Sequence, residues 1–356
     1  MSNPAKERGS NMSEQFNEIV NPLDGRRAGW DRAEYGDGQF ETGFFGDGQN
    51  AWHGLGTVIP EDVVTAEQAL ELAGLDWEVE RVPLFTVAMS ETGVGYQQLD
   101  SHFANVRSTD RSVLGVVGKG YKLVQNREGF AFLNDLVDDS GAKFHTAGSL
   151  SNGKRVWILA RLPENLKVTG WEEEVAPFLL FTNTHDGSGS LTMAATPIRV
   201  VCRNTVDLAI KGSQHVWRMR HSSGITGRVN DAREALGLAF TYYEAFEQEA
   251  ARLATTKVKF DSFLENLVPF KPNMEPDSRA ARNIEETRSA IRAIYAQSDN
   301  LQNLQGTAWG AYNAVAEYAD HDRPIRGENN LAERKWSRAM FDGTGLKAKA
   351  YALVSA

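Results

Sequence analysis

The chain has 356 residues, 41% hydrophobic and 24% charged, with a formal net charge of −9. This composition excludes a wholly disordered or collagen-like protein, and no apolar run approaches the ~18 residues of a membrane-spanning helix. The single cysteine, Cys202, excludes an intramolecular disulfide framework and a multi-cysteine zinc site. Because no apolar stretch near the start predicts a secretory signal, we expect a soluble protein of the reducing cytoplasm that does not enter a membrane.

The N-terminal segment, residues 1–50, is rich in glycine and acidic residues, with scattered apolar positions. Such a segment buries too little apolar surface to offset the entropy of ordering it, so a flexible segment is predicted. Met12 is an alternative start to Met1, because nothing before it has a structural pattern. Order is expected to begin near residue 51.

The next part of the chain mixes one short helix with strands. Thr65 and Gln68 have the spacing of a capping box, and Gly74 ends the apolar run that follows. Further strands are predicted at 77–88, 103–107 and 113–117, followed by a helix that Asn126 caps and that ends before Gly141.

Two hairpins are predicted in the middle of the chain. Asn152 and Gly153 separate two strand-like runs, and both residues tolerate the positive φ of a tight hairpin turn. The strands are 143–150 with 155–162, and 178–182 with 191–202 around a turn at 185–189. Together they predict an antiparallel sheet of at least four strands.

After residue 230 the apolar pattern changes to the helical period. A long amphipathic helix is predicted over 231–254, with an apolar stripe of Leu236, Ala239, Phe240, Tyr243, Phe246, Ala250 and Leu253. Helices are also expected after a cap at Asp277 or Ser278, at 307–318, and around Trp336. The order of elements predicts an α+β fold. Its parts are a flexible segment 1–50, a mixed core domain 51–268 that includes the long helix, and a helical region 269–356.

Charge is unevenly distributed along the chain. Residues 1–100 contain 6 basic and 18 acidic residues, whereas the window 199–234 contains 7 basic and 3 acidic residues. A local basic stripe on an acidic protein is typical of a polyanion footprint, and the alternative is an ordinary solvated surface.

The strand around residue 199 gives the sharpest functional hypothesis. Alternation places Ile198 and Cys202 on an apolar face, which makes Cys202 an expected core residue, and Arg199 and Arg203 on the opposite face. Arginine binds phosphate through two parallel hydrogen bonds, and an exposed aromatic ring stacks on a base. The predicted nucleic-acid-binding residues are Arg199, Arg203, Lys211, Trp217, Arg218 and Arg220. In the alternative interpretation, Trp217 lies in the core and the arginines form ordinary ion pairs.

A second set of polar residues is a candidate ligand site. Asn183, His185 and Asp186 lie in the second predicted hairpin turn, with Asn313 and His321 as candidate partners. A His-Asp pair can orient a base, although turns also require polar residues for backbone reasons. Asp320 and Asp322 around His321 are expected to end a helix and not to bind a metal.

Four runs of residues carry a resemblance to a known family. They are AWHGLG at 51–56, FTNTHDG at 181–187, TPIRVVCRNT at 196–205, and GTAWGAYNA at 306–314, which leads to Asp320 and His321. In this order they resemble the phage/plasmid-like family of unknown function, whose genes occur in bacteriophages, plasmids and actinobacterial genomes. The resemblance covers about residues 50–325 and brings no established activity. It implies a mobile-element setting, in which a link to single-strand annealing recombinases is an analogy of fold alone.

These observations lead to three hypotheses of different classes. The first is a non-enzymatic, homo-oligomeric protein that binds single-stranded DNA in annealing or recombination. The second is a nucleotide- or small-molecule-binding enzyme or sponge in host-defence evasion. The third is a structural oligomeric protein that uses the helix 231–254 as its interface. No strong enzyme motif is present, and no catalytic residue, cofactor or metal is predicted.

Overall fold

The computed structural model describes residues 55–90, 93–168, 174–199, 205, 208, 210, 215–219, 225–325, 331–341 and 345–356. Every described residue belongs to one compact unit, 42–356. The predicted flexible segment 1–50 and Cys202 lie outside the described residues.

The strands form two antiparallel sheets. Their bounds are β1 Thr57–Val58, β2 Val79–Ser90, β3 Gly93–Arg107, β4 Val113–Gly118, β5 Lys143–Leu150, β6 Arg155–Arg161, β7 Leu166–Lys167, β8 Glu174–Thr184, β9 Leu191–Arg199 and β10 Val216–Met219. The central sheet has the order β1-β5-β6-β8-β9-β10, with β7 also paired to β8, and β2-β3-β4 form a separate three-stranded sheet. Both predicted hairpins are confirmed as the pairs β5–β6 and β8–β9.

Helices dominate the C-terminal part of the chain. Their bounds are α1 Ala66–Leu72, α2 Asn126–Phe130, α3 Leu133–Ser140, α4 Ile225–Thr255, α5 Phe260–Leu267, α6 Arg279–Gln297, α7 Ala308–Glu317, α8 Leu331–Phe341 and α9 Leu346–Ser355. A 3₁₀ helix spans Asp299–Leu304, and a π-helix Tyr318–Asp322 continues α7. Sheets followed by helices confirm the predicted α+β class.

Side-chain caps fix the starts of three helices. Thr65 accepts a hydrogen bond from the backbone of Gln68 at the start of α1, and the Gln68 side chain completes the predicted capping box. Ser278 caps α6 and Thr307 caps α7 in the same way. The helix predicted from Asn126 to Gly141 is instead divided into α2 and α3, and its cap is wrong. Asn126 lies inside α2 with a buried side chain, which donates to the Leu75 carbonyl at 2.8 Å.

The long helix α4 lies against the central sheet. Six of the seven residues predicted for its apolar stripe are buried, and Tyr243 donates a hydrogen bond to the Phe178 carbonyl of β8. Phe240 is the exception, because it is exposed and Tyr242 takes the buried position. The face proposed as an interface between chains is therefore occupied by the chain's own sheet.

Apolar clusters cover both faces of the central sheet. On β9, Met193 and Ala195 belong to the main hydrophobic core, whereas Ala194 and Ile198 belong to a second cluster that Trp336 of α8 closes. The main core also joins residues before and after position 268, from Ile59 to Val354. A sheet that is covered on both faces leaves only its edges and ends for contact with a ligand.

Candidate functional site

The basic window begins where β9 ends, at Arg199. Arg199 is fully buried, and its Nη2 donates to the Asn300 carbonyl of the 3₁₀ helix at 3.2 Å. The prediction that strand alternation places Arg199 on an open basic face is wrong, because helices cover that face of β9. Its guanidinium joins the sheet to the helical half and does not face solvent.

Two other predicted DNA contacts lie on the edge strand β10, one in the core and one at the surface. Trp217 is buried in the main core, opposite Met193 of β9, and so does not offer an open ring face. Arg218 is exposed, and within the described part of the chain its side chain forms no hydrogen bond or ion pair. Arg203, Lys211 and Arg220 lie outside the described residues.

A buried ion pair fastens the backbone between β9 and β10. The Thr205 amide donates to Asp320 Oδ2 at 2.9 Å, and the Thr205 carbonyl accepts from Lys347 Nζ at 3.3 Å. Asp320 and Lys347 are themselves paired at 3.0 Å, with side chains only 1% and 9% exposed. The π-helix supplies the carboxylate and α9 supplies the ammonium, so two distant helices hold Thr205.

Tyrosines of α4 form hydrogen bonds to the backbone of β9 and of the segment that follows it. Tyr242 accepts from the Leu208 amide at 3.0 Å and donates to the Leu208 carbonyl at 3.2 Å. Tyr243 accepts from the Thr196 amide of β9 at 2.9 Å. We call residues 199–220 the basic connection. The helices hold it through the Arg199 side chain and through the backbone of Thr205 and Leu208, before the chain reaches the exposed Arg218.

Burial changes the protonation of one residue in the basic connection. Desolvation lowers the pKa of His215 below its ordinary value, which keeps the ring neutral at pH 7. His215 therefore adds no positive charge to that of Arg218.

The predicted partners Asn313 and His321 lie on α7 and on the π-helix that continues it, which also carries Asp320 of the buried ion pair. Asn313 is buried in α7 and donates to the Trp309 carbonyl, whereas its Oδ1 has no hydrogen-bond partner among the described residues. The same holds for Thr205 Oγ1. His321 lies in the π-helix, half-buried, and its carbonyl accepts from Lys335. π-helical segments occur frequently at functional sites.

The turn that follows β8 has a different environment. His185 is buried, with Nε2 2.8 Å from Asn126 Oδ1 and its ring edge against Trp77. The Asn183 amide donates to the Val124 carbonyl at 3.1 Å. These side chains join the end of the central sheet to α2 and to the segment before β2.

The three-stranded sheet is docked on this turn. Asn105 of β3 donates to the His185 carbonyl at 2.7 Å, and Tyr121 donates to the Thr184 carbonyl at 2.7 Å. Burial and the Asp186 carboxylate raise the pKa of Tyr121 to about 12. The turn is thus a structural joint, and it lies on elements other than those that hold Asn313 and His321. The structure does not bring the five predicted ligand residues into one contacting group.

Lys347 is the residue of this site that the sequence analysis missed. It lies on α9 together with buried Ala350, Tyr351 and Val354, which are three, four and seven residues further along. This spacing marks one face of a helix, so the sequence pattern alone indicates that Lys347 is buried and needs a partner. The described residues contain no group of three or more histidine, cysteine, aspartate or glutamate side chains able to hold a metal ion.

These features define an α+β protein whose candidate site is the basic connection. Hydrogen bonds to the helices hold this segment next to the edge strand of the central sheet. The chain belongs to the family described as Domain of unknown function (DUF932), whose model matches residues 113–340. The match contains the basic connection, the polar turn and the π-helix. Comparisons with curated proteins and with solved structures found no match. Among the described helices, none has both the length and the apolar character needed to span a membrane.

Proposed function

We propose that this protein binds single-stranded DNA along the basic connection and the adjoining edge strand β10. The observation that carries the proposal is the exposed Arg218 guanidinium, which is free of intramolecular partners within the described residues. An exposed guanidinium that no described carboxylate pairs with is available to a phosphate.

The sequence around Arg218 supports a line of cationic contacts. Arg203, Lys211 and Arg220 lie on the same short stretch of chain, between the end of β9 and the first residues after β10. Charges that follow one chain segment match one phosphate backbone better than the two backbones of a duplex. Arg199 and Trp217, which the sequence analysis counted as contacts, take positioning roles from the interior.

The anchors of the basic connection fit this function. The hydrogen bonds at Thr205 and Leu208 fix the backbone, so fewer residues lose conformational freedom when DNA binds. The resemblance to the phage/plasmid-like family adds the proposed setting, which is annealing or recombination of mobile-element DNA in the cytoplasm of a bacterial host.

Fluorescence anisotropy of a labelled oligonucleotide tests the proposal. We expect the full chain to bind the single strand more tightly than the duplex, with affinity that falls steeply as salt rises, because bound phosphates release counterions. Arg218→Glu is expected to weaken binding by about tenfold and to reduce the slope of log K against log salt by about 0.7, the value for one single-strand phosphate contact.

The matched control is Lys271→Glu, a charge reversal at an exposed lysine in the segment after α5. It changes the net charge by the same amount and is expected to leave affinity within about twofold. Absence of binding at low salt, or equal losses in the two variants, would contradict the proposal.

A second candidate function, binding of a nucleotide or another small polar molecule, is favoured by Thr205 Oγ1 and Asn313 Oδ1. Both atoms are buried without a hydrogen-bond partner among the described residues. Thr205 is bound to Asp320 of the π-helix, and Asn313 lies on α7, which the π-helix continues. Buried polar atoms of this kind are normally satisfied, so a bound polar molecule would remove their cost. A thermal-shift screen with a nucleotide library tests it, and stabilisation that Asn313→Leu abolishes is the expected result.

A further inference from the structure

The hairpin β2–β3 extends beyond the third strand of its sheet. β4 pairs with β3 only between His102 and Val106, and a register shift at Pro83/Leu84 separates that part from the rest of the hairpin. We call residues 84–99 the arm. Its two strands pair with each other from Leu84–Leu99 to Ser90–Gly93, and the arm has no third strand within the described residues.

One face of the arm is open and largely apolar, with exposed Gln98 opposite Phe85 on the same face. Val87 and Tyr96 are directly opposite each other, and Phe85 and Val94 lie two residues away on the same face, because side chains alternate along a strand. These four side chains are between 56% and 75% exposed. An isolated two-stranded hairpin is marginally stable in water, and contiguous apolar surface of this kind marks an interaction site.

We propose that the arm is a homodimerisation element, on which a second copy of this chain packs its own apolar face. The near absence of charged residues in the arm favours a second copy of the chain as its partner. Residues 82–99 contain only one charged residue, Glu91, and no lysine or arginine. Nucleic acids and anionic lipid surfaces are bound through cationic side chains, which the arm lacks. An identical arm is an uncharged apolar face, and two such faces meet about a two-fold axis without desolvating any charge.

The size of the face sets the strength of the dimer. Phe85 and Tyr96 each leave about 100–150 Å² open, and with the two valines one arm offers roughly 400 Å². Two arms therefore bury roughly 800 Å², below the ~1,200 Å² of standard stable interfaces. The dimer is accordingly expected to be concentration-dependent, with a dissociation constant on the order of 10 μM.

Sedimentation velocity of the full chain from about 1 to 200 μM tests the proposal. The wild-type protein is expected to pass from monomer to dimer across this range. Val87→Lys and Tyr96→Lys are each expected to raise the dissociation constant at least tenfold, because each substitution occurs twice at a two-fold interface and places charge in its apolar centre. Leu72→Lys, which is at a 51% exposed position at the end of α1, is the matched control and should change it less than twofold.

The outcomes separate the dimer from other occupants of the arm. A wild-type chain that stays monomeric throughout the range overturns the proposal and indicates that the face is covered within one chain or by another molecule. Association that persists unchanged in Val87→Lys and Tyr96→Lys also overturns it, because the interface then lies elsewhere. Thermal unfolding of each variant within about 2 °C of wild type shows that its monomer is intact, as expected for exposed positions.

Discussion

Removal of the Asp320 carboxylate is the sharpest test of how the basic connection is held. Asp320→Asn keeps the size of the side chain and leaves an oxygen that can accept from the Thr205 amide. It removes the charge that faces Lys347 Nζ at 3.0 Å, in a site where both side chains are buried. The remaining contacts of the ammonium are the carbonyls of Thr205 and Ala339, at 3.3 and 3.1 Å.

The magnitude of this change follows from burial. Breaking a buried ion pair by removing one partner costs about 3–5 kcal/mol, because the other charge stays in the interior without compensation. At 2–4 °C per kcal/mol, the expected fall in melting temperature is roughly 6–20 °C. Lys347→Met is expected to destabilise by a similar amount, because it leaves the carboxylate buried.

The double variant Asp320→Asn/Lys347→Met measures the coupling free energy between the two charges. It contains no unpaired charge and keeps an acceptor for the Thr205 amide, so it should be less destabilised than the sum of the single variants by at least 2 kcal/mol. Urea unfolding monitored by tryptophan fluorescence and circular dichroism gives the three free energies of unfolding. Single variants that each lose under about 1 kcal/mol, or an additive double variant, would refute the description of a buried, dry pair.

Two further predictions concern the joint between the three-stranded sheet and the polar turn. Gly115→Ala is expected to destabilise the protein by about 1–3 kcal/mol in urea unfolding, because its new Cβ would lie 2.5 Å from Asp186 Cα. The control Gly118→Ala, on the same strand, should be nearly neutral because its Cβ would have no neighbour nearer than 4.0 Å. Equal effects of the two variants would contradict the contact at Gly115. Tyr121, with its pKa raised to about 12, should contribute stability that is complete below pH 10 and is lost as pH rises from 10 through 12. Alkaline unfolding should therefore be shallower in Tyr121→Phe over that interval, and an unchanged slope would show that Tyr121 is not the group that titrates.

Local signals explain which elements the sequence predicted correctly. The capping box at Thr65, the Asn152-Gly153 turn and the 3.6-residue stripe of α4 each depend on neighbours within a few positions, and all three are present. Most of the first strand of the arm was predicted, within 77–88, whereas its second strand was not. Its exposed strands carry no core pattern, because neither face packs on the rest of the described chain as a buried strand would.

The candidate site was predicted less well, because it depends on contacts between distant parts of the chain. Alternation correctly placed Arg199 opposite Ile198, but it could not show that helices cover the arginine face. The hydrogen bond of Arg199 to Asn300 spans 101 positions, and that of Thr205 to Lys347 spans 142. The quoted sequence runs included Thr205 and led to Asp320, whereas their partner Lys347 was marked only by its position on the buried stripe of α9.

The long span from Thr205 to Lys347 also bears on how the chain folds as it leaves the ribosome. Synthesis proceeds from the N-terminus, so the central sheet and α4 emerge well before α9. Until residue 347 has emerged, Asp320 lacks its cation and Thr205 lacks half of its clamp. The nascent chain therefore leaves this contact open beside the basic connection while the 142 positions from Thr205 to Lys347 are made, and α9 closes it.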